Sequence, residues 1–138
     1  SNVMALLADE AFSAIVVCPS NPFVSVDPIL QIPGMWTTLR DCSAPLVLVS
    51  PIVSGMALKG PAAKMMLELG LPVTAFGVAQ HYCDLYPDLL DYFVIDESDA
   101  TLAREIASLG VEVAIAPTVM KNRNDKQGLA QFVLDLVG

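Results

Sequence analysis

The amino-acid sequence predicts an α/β protein, a three-layer sandwich in which helices cover both faces of a mainly parallel sheet. Short apolar runs rich in Val and Ile alternate with segments of helical length, and this alternation is typical of parallel βαβ units. The stronger runs are apolar almost throughout, as strands covered on both faces should be. Two of the helical segments stop at a glycine, Gly70 and Gly110, and a strand follows each of them at once.

The strands of this sheet are the apolar runs that turn residues bound on either side. They are predicted at residues 14–18, 46–50, 73–76, 92–96 and 111–116. The run "LVLVS" at 46–50 is unbroken and lies between two helical segments, so we place it near the centre of the sheet. The run at 73–76 is the weakest. We therefore expect a Rossmann-like sheet of about five strands.

The helices are predicted between these strands. They cover residues 3–13, 35–42, 61–69, 77–86, 98–109 and 125–137. Pro61 suits the first position of its helix, because an N–H at that position would have no partner within the helix. Asp96 or Ser98 suits the N-cap of the helix after the strand at 92–96. A chain of 138 residues is long enough to bury a core, so we expect one α/β domain over residues 1–138.

The composition excludes several classes of protein. Hydrophobic residues make up 54% of the chain and charged residues 16%, a balance that excludes disorder, yet no apolar run reaches the roughly 18 residues of a membrane span. Seven basic and fifteen acidic residues give a net charge of −8, so we expect neither nucleic acid nor a membrane as a partner. Cys18, Cys42 and Cys83 lack metal-binding spacing and the N-terminus shows no secretory pattern, which predicts a cytoplasmic protein.

A ligand site is expected at the carboxyl ends of the strands, because open parallel sheets bind ligands there. Three strands end directly in a proline, at Cys18–Pro19, Ser50–Pro51 and Ala116–Pro117. Proline fixes its own φ and holds the preceding residue extended, so each strand leaves the sheet along a defined path. Ser20, Asn21 and Ser50 fall on this edge and are candidate binding residues.

The residue types in the loop after the second strand indicate that it could bind phosphate. Gly60 and Pro61 open a helix, and Lys59 and Lys64 flank its start. Cations are disfavoured at a helix N-terminus by about 0.3–1 kcal/mol each, so a phosphate bound there would explain both lysines. The alternative is that both amines point into solvent, and the spacing alone leaves the two interpretations open.

Carboxylates follow the strand at 92–96 directly. Asp96, Glu97 and Asp99 are carboxylates that could hold Mg²⁺ or act as acid or base groups, with Asp96 and Glu97 the candidate metal ligands and Asp96 the candidate catalytic residue. The alternative is that Asp96 or Ser98 caps the next helix. His81 is the one histidine of the chain and a candidate catalytic residue, although a lone histidine on a helix is more often packed or exposed.

Blocks of this sequence resemble the 2-phospho-L-lactate transferase family (CofD) of coenzyme F(420) biosynthesis. They are "CPSNPFVSVDPIL", "SPIVSGMALKGPAAKMM" and "GVAQHYCDLYPDLLDYFVID", with Glu97 after the last of them. The blocks keep the family's order along the chain, and the first two carry the resemblance.

The resemblance implies a reaction. Family members transfer a 2-phospholactyl group, or a phosphoenolpyruvyl-type acid in some organisms, from a guanosine diphosphate-activated donor. The acceptor is the hydroxyl of the deazaflavin 7,8-didemethyl-8-hydroxy-5-deazariboflavin, GMP is released, and Mg²⁺ is needed. Matching positions imply nucleotide or phosphate contacts for Ser20, Asn21, Ser25, Ser50, Lys59, Gly60 and Lys64. His81 and Asp96 match further family positions without a defined role.

Family members are longer than this chain, and their N-terminal half supplies a Gly-rich turn and much of the acceptor site. The chain is therefore expected to be the C-terminal segment of a longer transferase and to be inactive by itself. It is also expected to form a homo-oligomer, because a sheet cut through its middle leaves one strand edge unpaired.

Two other functions compete with the transferase. The related CofD-like group shares the architecture and a proline- and serine-bearing loop, so a nucleotide-sugar-binding regulatory protein is the alternative; the block "LKGPAAKMM" favours the transferase. A purely structural or oligomerising α/β module would explain the core, but it leaves Lys59 and Lys64 at a helix start without a reason.

Overall fold

The computed structural model describes residues 12–57 and 61–138, and its centre is a parallel sheet. The strands in chain order are β1 (Ile15–Val17), β2 (Leu46–Val49), β3 (Ile52–Val53), β4 (Met56–Ala57), β5 (Tyr92–Asp96) and β6 (Glu112–Ala116). Four of them form the sheet in the order β1–β2–β5–β6, and every neighbouring pair in it is parallel. The predicted fold class is thus confirmed, and β2 occupies an inner position as predicted.

Helical segments connect the strands and follow the last one. They are α1 (Asp27–Leu30), α2 (Met35–Asp41), α3 (Ala62–Glu68), α4 (Ala75–Leu85), α5 (Ala103–Ala107) and α6 (Arg123–Val137). A π-helical turn at Pro22–Val26 runs into α1, and a 3₁₀ helix at Glu97–Leu102 runs into α5. The predicted helix at 98–109 is therefore two segments, with non-helical φ and ψ at Asp99.

The two faces of the sheet bury separate cores, which makes the fold a three-layer sandwich. Successive residues of a strand point to opposite faces, so a run that is apolar throughout is covered on both. Leu48 and Phe93 pack with the helices that connect the strands. Val49 and Val94 lie on the other face, against Leu129 of α6.

The antiparallel hairpin β3–β4 was missed in the sequence. Ser54 and Gly55 form its two-residue turn with φ of 52° and 77°, the left-handed conformation that such turns require at both positions. The carboxylate of Asp99 accepts a hydrogen bond from the Ser54 N–H, at 3.2 and 3.1 Å from its two oxygens. This contact fixes the hairpin to the 3₁₀ helix after β5.

The strand predicted at 73–76 is wrong. Thr74 is the N-cap of α4 instead, and its hydroxyl accepts a hydrogen bond from the Gly77 N–H at 3.1 Å. Pro72 has no N–H to donate to a neighbouring strand. A helix start capped by Thr74 therefore provides more of the backbone hydrogen bonds of this segment than a strand would. The helix predicted at 3–13 falls mostly outside the described residues, and residues 12 and 13 are not helical.

Candidate functional site

A cavity of about 280 Å³ opens beyond the carboxyl ends of β1, β2 and β6. It is lined by Pro19, Ser20, Asn21, Pro51, Val119, Met120 and Lys126. The predicted candidates Ser20 and Asn21 thus lie together in its wall. The loop after β6 and the start of α6 complete the cavity, and the sequence offered no motif there that would have identified them.

Asn21 shapes the loop as well as lining the cavity. Its side-chain oxygen accepts hydrogen bonds from the N–H groups of Phe23 and Val24 at 2.8 and 3.2 Å, and so caps the π-helical turn. The side-chain nitrogen lies 3.7 Å from the sulfur of Met65 on α3. The backbone thus engages the oxygen and the Met65 sulfur accepts from one amide N–H, so the second N–H is the part of Asn21 that can donate to a ligand.

The three candidate serines occupy different environments. Ser20 is half-buried in the cavity wall, whereas Ser25 is exposed on the π-helical turn. Ser50 is fully buried: its hydroxyl donates to the carbonyl of Ile52 at 3.0 Å and accepts from the Ile52 N–H at 3.2 Å. Ser50 therefore holds the connection from β2 to β3, and only Ser20 of the three lines the cavity among the described residues.

The predicted phosphate loop is described only in part. Lys64 lies on α3 with 79% of its side chain exposed, and its amine is 4.0 Å from a carboxylate oxygen of Glu68. This position agrees with the solvent-exposed alternative. Lys59 and Gly60 lie outside the described residues, so a phosphate site at the start of α3 stays a prediction.

Asp96 connects the ends of β5 and β6. One of its oxygens accepts from the backbone N–H and the hydroxyl of Thr118 at 2.8 and 3.1 Å. The other oxygen accepts from the N–H and hydroxyl of Ser98 at 3.0 and 2.7 Å, which caps the 3₁₀ helix. Burial by itself raises the pKa of Asp96, but these four hydrogen bonds outweigh burial, so the pKa lies below its ordinary value.

The candidate metal ligands do not gather around one point. Both oxygens of Asp96 are engaged, and Glu97 is exposed. Within residues 12–57 and 61–138, no three His, Cys, Asp or Glu side chains are grouped as a metal site would need.

His81 belongs to a buried cluster that sequence analysis missed. Its Nε2 lies 2.9 Å from one carboxylate oxygen of Asp27, and the hydroxyl of Tyr86 donates to the other oxygen at 2.9 Å. The edge of the His81 ring also meets the ring of Phe23, with centroids 4.8 Å apart. These contacts, which we call the Asp27 cluster (Asp27, His81 and Tyr86), fasten the loop after β1 to α4.

The surroundings of Tyr86 in the Asp27 cluster raise the pKa of its phenol. Burial, followed by the hydrogen bond to Asp27 and its charge, raises the pKa of Tyr86 to about 12. Asp27 lies 54 and 59 residues from its two partners, and no fixed spacing in the sequence signals such a pairing. His81 therefore has a structural partner, and it does not line the cavity.

None of the helices in the described parts of the chain is long and apolar enough to cross a membrane.

Comparison with known proteins gives one consistent result. Residues 3–132 match the family model described as 2-phospho-L-lactate transferase CofD. Several similar curated proteins are named 2-phospho-L-lactate transferase. That of Methanococcoides burtonii is 34% identical over 96% of this chain and 42% of the relative. That of Methanocaldococcus jannaschii is 38% identical over 90% of this chain and 37% of the relative. That of Methanothermobacter thermautotrophicus is 39% identical over 92% of this chain and 40% of the relative. The chain thus spans well under half the length of these relatives.

Proposed function

The chain belongs to the 2-phospho-L-lactate transferase CofD family, and on that premise we propose that it is the part of a phospholactate transferase that binds the activated donor. The proposed reaction moves a 2-phospholactyl or phosphoenolpyruvyl-type group from a guanosine diphosphate-activated donor to the hydroxyl of the deazaflavin 7,8-didemethyl-8-hydroxy-5-deazariboflavin. GMP is released, and the product belongs to coenzyme F(420) biosynthesis.

The cavity at the carboxyl edge is the observation that carries the proposal. Two positions of the family-like block "CPSNPFVSVDPIL", Ser20 and Asn21, form part of its wall. The Ser20 hydroxyl and the second amide N–H of Asn21, the one that does not donate to Met65, are neutral donors suited to phosphate oxygens. Transfer from a diphosphate depends mainly on positioning the reactants and on stabilising charge that develops on oxygen. A rigid loop that presents fixed donors can position the phosphates and stabilise the charge that develops on their oxygens.

The surrounding contacts supply that rigidity. Asn21 caps the π-helical turn, and Asp27 directly after that turn is held by His81 and Tyr86. Ser50 acts through the β2–β3 connection, because its hydroxyl is fully engaged there. We propose Lys59, Gly60 and Lys64 as further phosphate contacts, and Ser25 as a contact at the outer end of the loop.

Mg²⁺, which the family implies, does not fit the carboxylates of this chain that were its candidates. Asp96 offers no free oxygen, since both of its oxygens accept hydrogen bonds from Ser98 and Thr118. Glu97 is exposed and belongs to no group of three or more His, Cys, Asp or Glu side chains in the described residues. We therefore assign no metal ligand and no step of the reaction to Asp96 or Glu97.

Product formation in the full-length protein tests the proposal. The assay combines the guanosine diphosphate-activated donor, the deazaflavin and Mg²⁺, and compares wild type with Ser20→Ala. Loss of one hydrogen bond from a neutral hydroxyl to a charged phosphate oxygen predicts roughly a ten- to hundredfold weaker donor affinity. Ser43→Ala is the matched control, because Ser43 is exposed and does not line the cavity. Absent turnover, together with tight binding of a uridine diphosphate sugar, would replace the transferase by the nucleotide-sugar-binding regulatory protein.

A further inference from the structure

Lys126 is the one charged residue among the described residues that line the carboxyl-edge cavity. It lies on α6, within residues 3–132 that match the family model but outside the three blocks quoted from the sequence. No carboxylate in the described parts of the chain lies within ion-pair distance of its amine. Its positive charge is therefore not neutralised by a described neighbour.

Asp125, the acidic residue that precedes Lys126 in the chain, does not line the carboxyl-edge cavity. Asp125 accepts a hydrogen bond from the Lys121 N–H at 2.9 Å, and its own N–H donates to the side chain of Asn122, the N-cap of α6. Asp125 lines a different cavity, together with Pro117 and other residues of α6. Lys126 therefore lines the cavity that contains Ser20, and the carboxylate of Asp125 does not.

Lys126 also lies where a lysine can keep its amine in a polar space. It lines a neighbouring apolar groove of about 340 Å³, and the groove and the cavity share Pro19, Met120 and Lys126 as a common wall. Leu129 and Val133 of the same helix line the groove side. A lysine between two such spaces packs its methylene groups along apolar surface and keeps the charged amine on the polar side.

We propose that Lys126 binds a phosphate of the donor's nucleoside diphosphate in the carboxyl-edge cavity, next to the neutral donor Ser20. This inference rests on the proposed function. The chain carries a net charge of −8 and has seven basic residues, so its overall field opposes an anionic ligand. Lys126 is exposed and lines the wall of the cavity, so its charge supplies a local attraction for an anion there, and lysine is a common phosphate ligand.

Calorimetry on the full-length protein with two probes, GDP and guanosine, tests the assignment. Lys126→Gln should weaken GDP binding about ten- to a hundredfold, the range of one charge-assisted hydrogen bond, and leave guanosine binding unchanged. Lys126→Arg keeps the charge and should stay within a fewfold of wild type. Lys121→Gln is the matched control, since it removes the same charge from an exposed residue that does not line the cavity, and it should have no effect.

Three outcomes would decide against the inference or against its premise. Equal GDP affinity for wild type and Lys126→Gln would overturn the role of Lys126 while leaving the proposed function intact. An equal loss with Lys121→Gln would show that only net charge matters, which also overturns it. If wild type binds no GDP, the proposed function itself fails. Should Lys126→Gln unfold, Lys126→Met, which keeps the apolar stem, gives the same comparison.

Discussion

Replacing Tyr86 by phenylalanine removes one of the two hydrogen bonds that hold the buried carboxylate of Asp27. Asp27 is 7% exposed, and the Tyr86 hydroxyl donates to it at 2.9 Å. Phenylalanine keeps the ring contacts with Trp36 and Tyr82, at centroid distances of 6.0 and 6.3 Å, so the packing changes little. A hydrogen bond to a charged group contributes about 1.5–3 kcal/mol, and we expect Tyr86→Phe to lower the free energy of unfolding by that amount at pH 7.

The same substitution predicts a change in alkaline stability. Burial and Asp27 raise the pKa of Tyr86 from 10.0 to about 12, so the folded protein holds the phenol proton more tightly than the unfolded chain does. The resulting stabilisation is fully present below about pH 10 and is lost as the pH rises towards 12. The difference between wild type and Tyr86→Phe should therefore shrink over this interval.

Urea denaturation followed by circular dichroism at pH 7, 10 and 11 measures both effects. Tyr92→Phe is the control, because Tyr92 is half-buried and its hydroxyl makes no hydrogen bond within the described residues. A double-mutant cycle with Asp27→Asn should give a coupling energy of similar size to the single loss. A loss below about 0.5 kcal/mol, or a loss that does not depend on pH, would refute the role assigned to the Asp27 cluster.

Four further substitutions and one property of the chain can also be tested. A Cβ at Gly77 would lie 1.9 Å from the carbonyl oxygen of Pro72, so Gly77→Ala should destabilise by about 3 kcal/mol or more in urea denaturation. Gly128→Ala has nothing within 4 Å of its Cβ and should instead stabilise α6 by up to about 1 kcal/mol. Asp96→Asn should lose about 1–3 kcal/mol at neutral pH. Because the folded pKa of Asp96 is lowered, this difference should be fully present above about pH 4, and it should shrink as the pH falls further through the folded pKa. Lys64→Ala should weaken GDP binding about ten- to a hundredfold in calorimetry, and an unchanged affinity would support the solvent-exposed alternative. The 138-residue chain should associate through the edge of β1, which pairs only with β2 among the described strands, and should show no turnover; light scattering and product assays would measure both.

The fold followed from local patterns, because a buried parallel strand needs nothing more than an apolar run between helices. Tyr92–Asp96 shows this, since its bounds are those predicted. Val73 and Thr74 misled the prediction, because a short apolar run and a capped helix start look alike until the Thr74 hydroxyl finds the Gly77 N–H.

The sequence predicted only those residues of the candidate site that lie on a single loop directly after a strand. Ser20 and Asn21 follow a strand directly, so the position of the strand places them at the carboxyl edge. Lys126 enters the same cavity from a helix more than a hundred residues later in the chain, and the Asp27 cluster joins residues 54 and 59 apart. Such contacts depend on how the helices pack onto the sheet, which no spacing in the sequence specifies.

Mapping of GDP by amide chemical shifts in the full-length protein tests most directly whether the carboxyl-edge cavity binds the donor. We predict that titration perturbs the backbone amides of Ser20, Asn21 and Met120, which line the cavity, and leaves Gly110 at the opposite end of the sheet unchanged. Shifts confined to the neighbourhood of Gly110, or saturating GDP with no shift at the cavity residues, would contradict the assignment of this cavity to the nucleoside diphosphate.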